Sequence, residues 1–362
     1  MRFMKPKRSD TNVPFVSKYR FGLLSLAISI LAIGLGMANP KPARPARAYT
    51  PLVVPERSSW VNRGIAIAEG NPGEWDRYLW GGFANSIVKK QGVYYLYYQG
   101  SSGFNTACDD NVYRQIGVAT STDGIHWTKY PGNPVISWVD RGVVTEGAVS
   151  SGAVLGADGY IYVYYGANSA YSRCLVHASG RLARSSDGVH FEEVGEVIPN
   201  TPPLWGNGDE IFPVGAYRRG STWSVFYIPN GVAQATKLGV VRGSAPNALN
   251  LQTSRGVNNG NLSAWGPVSV VSDGTTAYAF VNAPGTTRAI KAYAFSPNNP
   301  RAMTLARTYT FSDCFQASVL FEPGRNRWLM LCRDRAASGF YRVKTAPASA
   351  SSLTPTPTPG NK

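Results

Sequence analysis

The chain has 362 residues, 43% of them hydrophobic, and 36 lysines and arginines against 21 aspartates and glutamates give it a formal net charge of +15. That apolar content supports a packed core and argues against a disordered chain. With only three histidines, four cysteines and no Cys-x-x-Cys, neither a thiolate zinc site nor a paired-histidine metal centre is expected, and no cofactor-binding motif is present.

In chain order, Lys5, Lys7, Arg8, Lys18 and Arg20 precede the apolar run LLSLAISILAIGLGMA, Leu23 to Ala38. Residues 1–38 read as a secretory signal peptide ending in small residues or, if uncleaved, as a signal anchor. Either places the remainder outside the cytoplasm, with the membrane touched only through this segment. Residues 39–57 read as a proline-rich linker and 348–362, LTPTPTPGNK at its end, as a Thr/Pro-rich tail. Neither has apolar periodicity, so both termini are expected to be disordered.

Between them, residues 58–347 carry only strand signals. The segment WVNRGIAIA (Trp60 to Ala68) precedes a first unit and has no unit of its own. An alternating aromatic strand then recurs as VYYLYY from Val93, YIYVYY from Tyr160, TWSVFY from Thr222, TAYAFV from Thr276 and RWLMLC from Arg327. A tight turn precedes each copy, and before each turn lies a second apolar run: ANSIV, SGAVL, FPVGAY, GPVSVV and FQASVL. Repeated strand units of this kind predict an all-β, five-bladed β-propeller. The last unit lacks a fourth strand, which the N-terminal segment is expected to supply, closing the ring and removing an exposed edge. A two-domain β-sandwich protein is the alternative.

The first two units share a further box, STDGIHW at Ser121–Trp127 and SSDGVHF at Ser185–Phe191. Asp-Gly suits a tight turn whose side chains satisfy local N–H groups, so the box marks the fold and not the site. His126 and His190 belong to it, which leaves His177 alone for any Ser-His-Asp arrangement.

Cysteines in an exported chain favour disulfides. Cys108 and Cys174 occupy equivalent insertions in the first two units, and Cys314 and Cys332 both fall in the fifth. Of three possible pairings, Cys108–Cys174 and Cys314–Cys332 is the one expected. Residues 1–38 account for +5 of the net charge, and the remaining basic residues are spread over all five units without forming a stripe. With no nucleic-acid-binding motif present, a nucleic-acid partner is not expected.

Carboxylates just ahead of the inner strands are the candidates for chemistry, because in a propeller those strand ends gather at the channel entrance. Asp76 in EWDRYLW, Glu146 in VTEGAVS, Asp209 and Glu210 in GNGDEIFPV, and Asp313 in SDCFQAS qualify. Trp80 and Trp205 stand near two of them, and an indole beside a carboxylate suits a sugar, whose ring stacks while its hydroxyls bond the acid. The bland reading of each acid is a turn cap or an ion pair with a nearby arginine.

The stretch EWDRYLWGGFANSIVKKQGVYYLYYQG followed by ATSTDGIHWTKYPGNPVI resembles the five-bladed propeller glycosidases, a superfamily of arabinanases, xylosidases, invertases, levansucrases and mannoside phosphorylases. The likeness is good over residues 60–230 and thin beyond. It implies three acids from successive blades. Glu210 matches the proton donor and Glu146 the supporting acid. The base falls at Ala84-Asn85-Ser86, where Asn85 cannot accept a proton, so Asp76, nine residues earlier, is its expected replacement. Asn85, Trp80, Trp205, Asp209 and Asp313 would then bind substrate, an oligo- or polysaccharide. The expected function is an exported glycoside hydrolase with Glu210, Asp76 and Glu146 as its catalytic acids. A non-catalytic carbohydrate-binding propeller is the alternative.

Overall fold

The computed structural model describes residues 52–105, 110–137, 139–140, 145–169, 177–206, 210–230, 236–285, 288–334 and 339–348. Nearly all its regular structure is β. After β1 (Val61–Ala68), a first unit pairs β2 (Tyr78–Lys90), β3 (Val93–Asn105), β4 (Asp110–Ser121) and β5 (Thr128–Lys129) in that order. The two-residue β6 (Val139–Asp140) pairs with the start of β7 (Thr145–Leu155), which opens the second unit and is followed by β8 (Ile161–Ser169), β9 (His177–Ser185) and β10 (Glu192–Ile198). The third comprises β11 (Glu210–Arg219), β12 (Thr222–Asn230), β13 (Gly239–Ala245) and β14 (Ala248–Gly256), and one parallel bridge between Glu210 and Ala178 joins it to the second. The fourth runs β15 (Val268–Ser272), β16 (Ala277–Asn282), β17 (Ile290–Phe295) and β18 (Thr304–Tyr309). The last runs β19 (Phe315–Glu322), β20 (Arg327–Arg333) and β21 (Phe340–Pro347). Its fourth strand is β1, antiparallel to β21 with Ala68 opposite Phe340 and Val61 opposite Thr345.

The five aromatic segments form β3, β8, β12, β16 and β20, the second strand of each unit. Their period-2 alternation sends successive side chains to opposite faces, and both faces are covered. From β3, Tyr94, Leu96 and Tyr98 pack with Leu329 and Leu331 of β20, while Tyr97 packs with Ile161, Val163 and Tyr165 of β8. The core is therefore a series of layers between sheets. Each fully buried side chain contributes roughly 1.5–3 kcal/mol, which leaves alternation under strong energetic control.

The first strands pack one against the next: β2 on β7, β7 on β11, β11 on β15, β15 on β19 and β19 on β2. Together they line a small cavity of about 50 Å³, to which Ser86, Gly152, Gly215, Ser269 and Ser318 contribute from the five strands. Ser86 Oγ accepts from the Ala153 N–H at 3.2 Å, and Ser269 Oγ accepts from the Val319 N–H at 2.9 Å.

Residues 52–57, assigned to the linker from sequence, pack on the fourth and last units instead. Leu52 and Val54 are buried, the Leu52 N–H donates to Asp273 at 3.0 Å and Tyr309 Oη donates to the Pro55 carbonyl at 2.8 Å. Burial of the apolar Leu52 and Val54, with these two hydrogen bonds, explains the docking. The disulfide Cys314–Cys332 is formed, with Cα atoms 5.5 Å apart, and ties the approach to β19 to the end of β20. Cys108 and Cys174 lie outside the described residues, as do residues 1–51, where a signal segment is expected from sequence.

The Ser-x-Asp-Gly box is a turn that also docks the neighbouring unit. Asp123 Oδ1 accepts from the N–H groups of Ile125 (2.7 Å) and His126 (2.9 Å), and its Oδ2 meets His126 Nδ1 at 2.7 Å. Asp187 repeats each contact with Val189 and His190. Desolvation acts to raise both carboxyls, but these hydrogen bonds outweigh it and hold them well below the ordinary aspartate range. Arg327 and Arg325 of the last unit donate to the Asp123 carbonyl at 2.6 and 2.8 Å. Tyr97 of the first unit donates to the Gly188 carbonyl of the second at 2.9 Å.

Between the last and first units, Glu322 is almost fully buried and collects Lys89 Nζ at 2.9 Å, Arg327 Nε at 2.7 Å and the Tyr94 hydroxyl. Burial would raise its carboxyl, yet these donors lower it below the ordinary value. Replacing Glu322 by Ala should cost roughly 3 kcal/mol, the low end for breaking a buried pair because Lys89 and Arg327 keep some access to water; a urea unfolding midpoint unchanged from the parent would contradict this. The depressed aspartates set a pH signature. Their folded pKa lies below the unfolded value of about 3.9, so their stabilisation is complete above that pH and is lost as pH falls below it. An Asp123→Asn, Asp187→Asn variant should therefore show a shallower loss of Tm between about pH 5 and 2 than the parent.

Candidate active site

Each inner strand enters at its N-terminal end and passes the axial cavity further on. Asn85 directly precedes Ser86 on β2, Glu146 precedes Gly152 on β7, and Glu210 precedes Gly215 on β11. All three lie on first strands that pack consecutively. Glu210 is the opening residue of β11, opposite Asn230 of β12, and is buried. Glu146 lies opposite Val139 of β6, and Asn85 opposite Tyr98 of β3. Trp80 lies on the same strand as Asn85, opposite Gln99 and across a register shift from it, and Asp209 lies outside the described residues.

Three other residues expected at the entrance are engaged elsewhere. Asp76 is 2% exposed, and its Oδ2 meets Lys129 Nζ at 2.6 Å and accepts from Tyr98 Oη at 3.2 Å. Lys129 belongs to β5, the strand of the first unit farthest from the axis. Burial, with the Asp76 charge added, drives the Tyr98 phenol far above its ordinary pKa. Asp313 Oδ2 accepts from Lys344 Nζ at 2.8 Å and Asn62 Nδ2 at 3.0 Å, on β21 and β1, again the outer strands. Trp205 packs its indole where a Cβ on Gly256 or Gly260 would otherwise sit, and its backbone is held by Ser254 and Tyr227.

One physical reason covers all three. The connection from the outermost strand of one unit to the innermost strand of the next crosses the end of a sheet. Side chains on it meet outer strands before the chain reaches the axis, and a carboxylate crossing a buried surface needs a cation there.

At the corresponding end of β19, a feature absent from the sequence reading appears. Phe315 is buried between two guanidiniums, Arg288 at 4.7 Å and Arg333 at 5.6 Å from its ring centroid. Burial lowers the Arg333 pKa, and the like charge of Arg288 adds to that. No sequence signal links Arg288, in the connection after β16, to a residue 27 positions later. Among the described residues, no group of three or more His, Cys, Asp or Glu is arranged to hold a metal ion.

No protein-family model matches the chain, and no curated protein sequence does. Solved structures do. A β-xylosidase aligns with TM-score 0.55 and 13% identity over 76% of this chain and 93% of that one. A family 43 β-xylosidase/α-arabinofuranosidase from a compost microbial metagenome, in complex with xylotriose, aligns with TM-score 0.54 and 14% identity over 79% and 95%. A Bombyx mori family 32 β-fructofuranosidase mutant in complex with sucrose aligns with TM-score 0.50 and 13% identity over 74% of this chain but only 60% of its own length. At these identities the likeness is one of fold. The protein has the β-propeller fold of these glycoside hydrolases.

If Asp76 anchors the sheet, then Lys129→Met should leave a buried carboxylate without its cation and destabilise by roughly 3–5 kcal/mol. The double variant Lys129→Met, Asp76→Asn should recover much of that loss. Equal unfolding midpoints for the single and double variants would rule this role out.

Proposed function

We propose that the protein is an exported glycoside hydrolase whose five units form blades closed into a ring by β1, and that it acts on an oligosaccharide at the N-terminal end of the inner strands. Closure is supported by the β1–β21 ladder, by the packing of β19 on β2 and by the Glu322 cluster. Export is supported by the N-terminal sequence and by the Cys314–Cys332 disulfide. An oligosaccharide is supported by the bound sugars of two proteins of the same fold, sucrose and xylotriose.

The observation that carries the hydrolase reading is Glu210, a buried acid opening an inner strand next to the strand that bears Glu146. Glycoside hydrolysis needs one carboxylic acid to protonate the departing oxygen and a carboxylate to assist attack. In this reading Glu210 is the acid and Glu146 the carboxylate, with Asn85 bonding sugar hydroxyls. Asp76, committed to Lys129, is a structural anchor and not the base. That same ion pair favours a second reading, a propeller that binds a glycan without cleaving it.

A panel of aryl glycosides and the matching oligosaccharides separates the two. Glu210→Gln should lower kcat on oligosaccharides by about 10²–10⁴ and on aryl glycosides with acidic leaving groups by much less, because those need little protonation. Oligosaccharide binding without turnover of any substrate by the parent would establish the second reading in place of the first.

A further inference from the structure

Basic residues are spread along the sequence, but acids are not. Residues 52–210 hold sixteen acids against eleven lysines and arginines, whereas residues 211–312 hold one acid, Asp273, against nine. Apart from Glu210 at its start, the stretch formed by the third and fourth units is therefore strongly cationic.

Side-chain pairing follows the same division. In the first half arginines meet carboxylates: Arg77 with Glu69, Arg181 with Glu193 and Arg184 with Glu192. In the second half they rest on neutral acceptors. Arg218 donates to the Gly220 carbonyl at 2.7 Å, Arg255 to those of Ser254 (2.6 Å) and Gln252 (3.0 Å), and Arg301 to that of Thr253 (2.7 Å). Arg307, paired with Glu56 of the N-terminal segment, is the exception. A guanidinium bonded only to amides keeps its full charge.

Three of these arginines converge on one short piece of β14, Gln252–Ser254. Arg255 and Arg301 donate into its carbonyls, and Arg242 is latched to it through backbone contacts with the Thr253 hydroxyl at 2.9 and 3.1 Å. Arg255 and Arg242 act together, after burial, to lower the Arg301 pKa, as expected of like charges with no counterion between them. Among the described residues none of the three has a carboxylate partner, and the Nε–H groups of Arg242 and Arg301 are buried without an acceptor. A buried donor left unmet is costly. An oxyanion on the exposed side of this cluster would pair with guanidinium charge that no carboxylate of the described residues neutralises, in the planar, two-point geometry that arginine prefers.

We propose that Arg242, Arg255 and Arg301, at the seam of the third and fourth units, form a docking site for the carboxylate or sulfate groups of an anionic polysaccharide. This rests on the glycan reading above and narrows it to acidic polymers. The site lies on β13, β14 and the turn before β18, away from the first strands that carry Glu146 and Glu210, so it holds the polymer while a different part of it is processed.

The test uses the full chain and a triple variant, Arg242→Gln, Arg255→Gln, Arg301→Gln, with Arg255→Gln alone as a partner variant because that side chain is exposed and its loss does not threaten folding. Affinities for polygalacturonate, dextran sulfate, neutral dextran and duplex DNA are measured at several salt concentrations. The basic N-terminal segment is the same in all proteins, so differences report the site. Expected results are salt-sensitive binding of at least one anionic glycan, none of neutral dextran, and a loss of about tenfold or more in the triple variant. The single variant should lose affinity in the same direction. Binding polygalacturonate alone assigns carboxylates; binding dextran sulfate alone assigns sulfates. Unchanged affinity in both variants, or tighter binding of duplex DNA than of either glycan, overturns the proposal. Hydrolysis of a neutral aryl glycoside should be unaffected by the variants, so loss of docking and absence of catalysis are read separately.

Discussion

A Cβ on Gly215 would overlap the carbonyl oxygen of Val268, and one on Gly152 would come within 2.7 Å of the Gly215 backbone. The first strands of the second, third and fourth units can lie this close only because both residues lack a side chain. Everything outward of the axis depends on that approach. It brings the sheets near enough for aromatic layers to fill the space between them, and it leaves an axial cavity of only about 50 Å³.

Four of the five first strands are irregular just before they reach the axis. Register shifts fall between Trp80 and Asn85, between Val149 and Gly152, between Pro213 and Gly215, and between Phe315 and Ala317. Such irregularities re-aim side chains, and here they separate a short entrance segment from the axial segment of each strand. The strands with shifts are those that carry Asn85, Glu146, Glu210 and Phe315. β15, whose pairing with β16 is regular, brings no acid to that end. Elsewhere Asp76, Glu322 and Asp334, all buried, and the half-buried Asp313 each meet a lysine or arginine. Glu146 and Glu210 stand apart from these four by their place at the start of first strands.

Much of the fold was legible because alternation is a local signal. The five aromatic segments, the turns before them and the Ser-x-Asp-Gly box could be read from residues a few positions apart, since burial on both faces of a strand imposes period two. The places of Glu210 and Glu146 at the start of strands were legible for the related reason that each adjoins its apolar run in sequence. The partners of Asp76, Asp313 and Trp205 were not legible, because Lys129, Lys344 and Gly256 lie 31 to 53 positions away and nothing local announces them. Residues 52–57 likewise read as linker, since prolines near 39–55 outweigh three apolar positions until a sheet edge is there to receive them.

By itself the sequence determined the repeated β-unit, its turns and its aromatic layers, because these depend on the order of neighbouring side chains and on the conformations that glycine and aspartate allow. Only the tertiary structure decided which acids are spoken for, which arginines gather at Gln252–Ser254, and that Arg288 and Arg333 bracket Phe315. Those outcomes follow from how far a connection travels across a sheet before it enters the next strand, and from which charges meet once it has. They are properties of distance in space, which one chain's residue order does not carry.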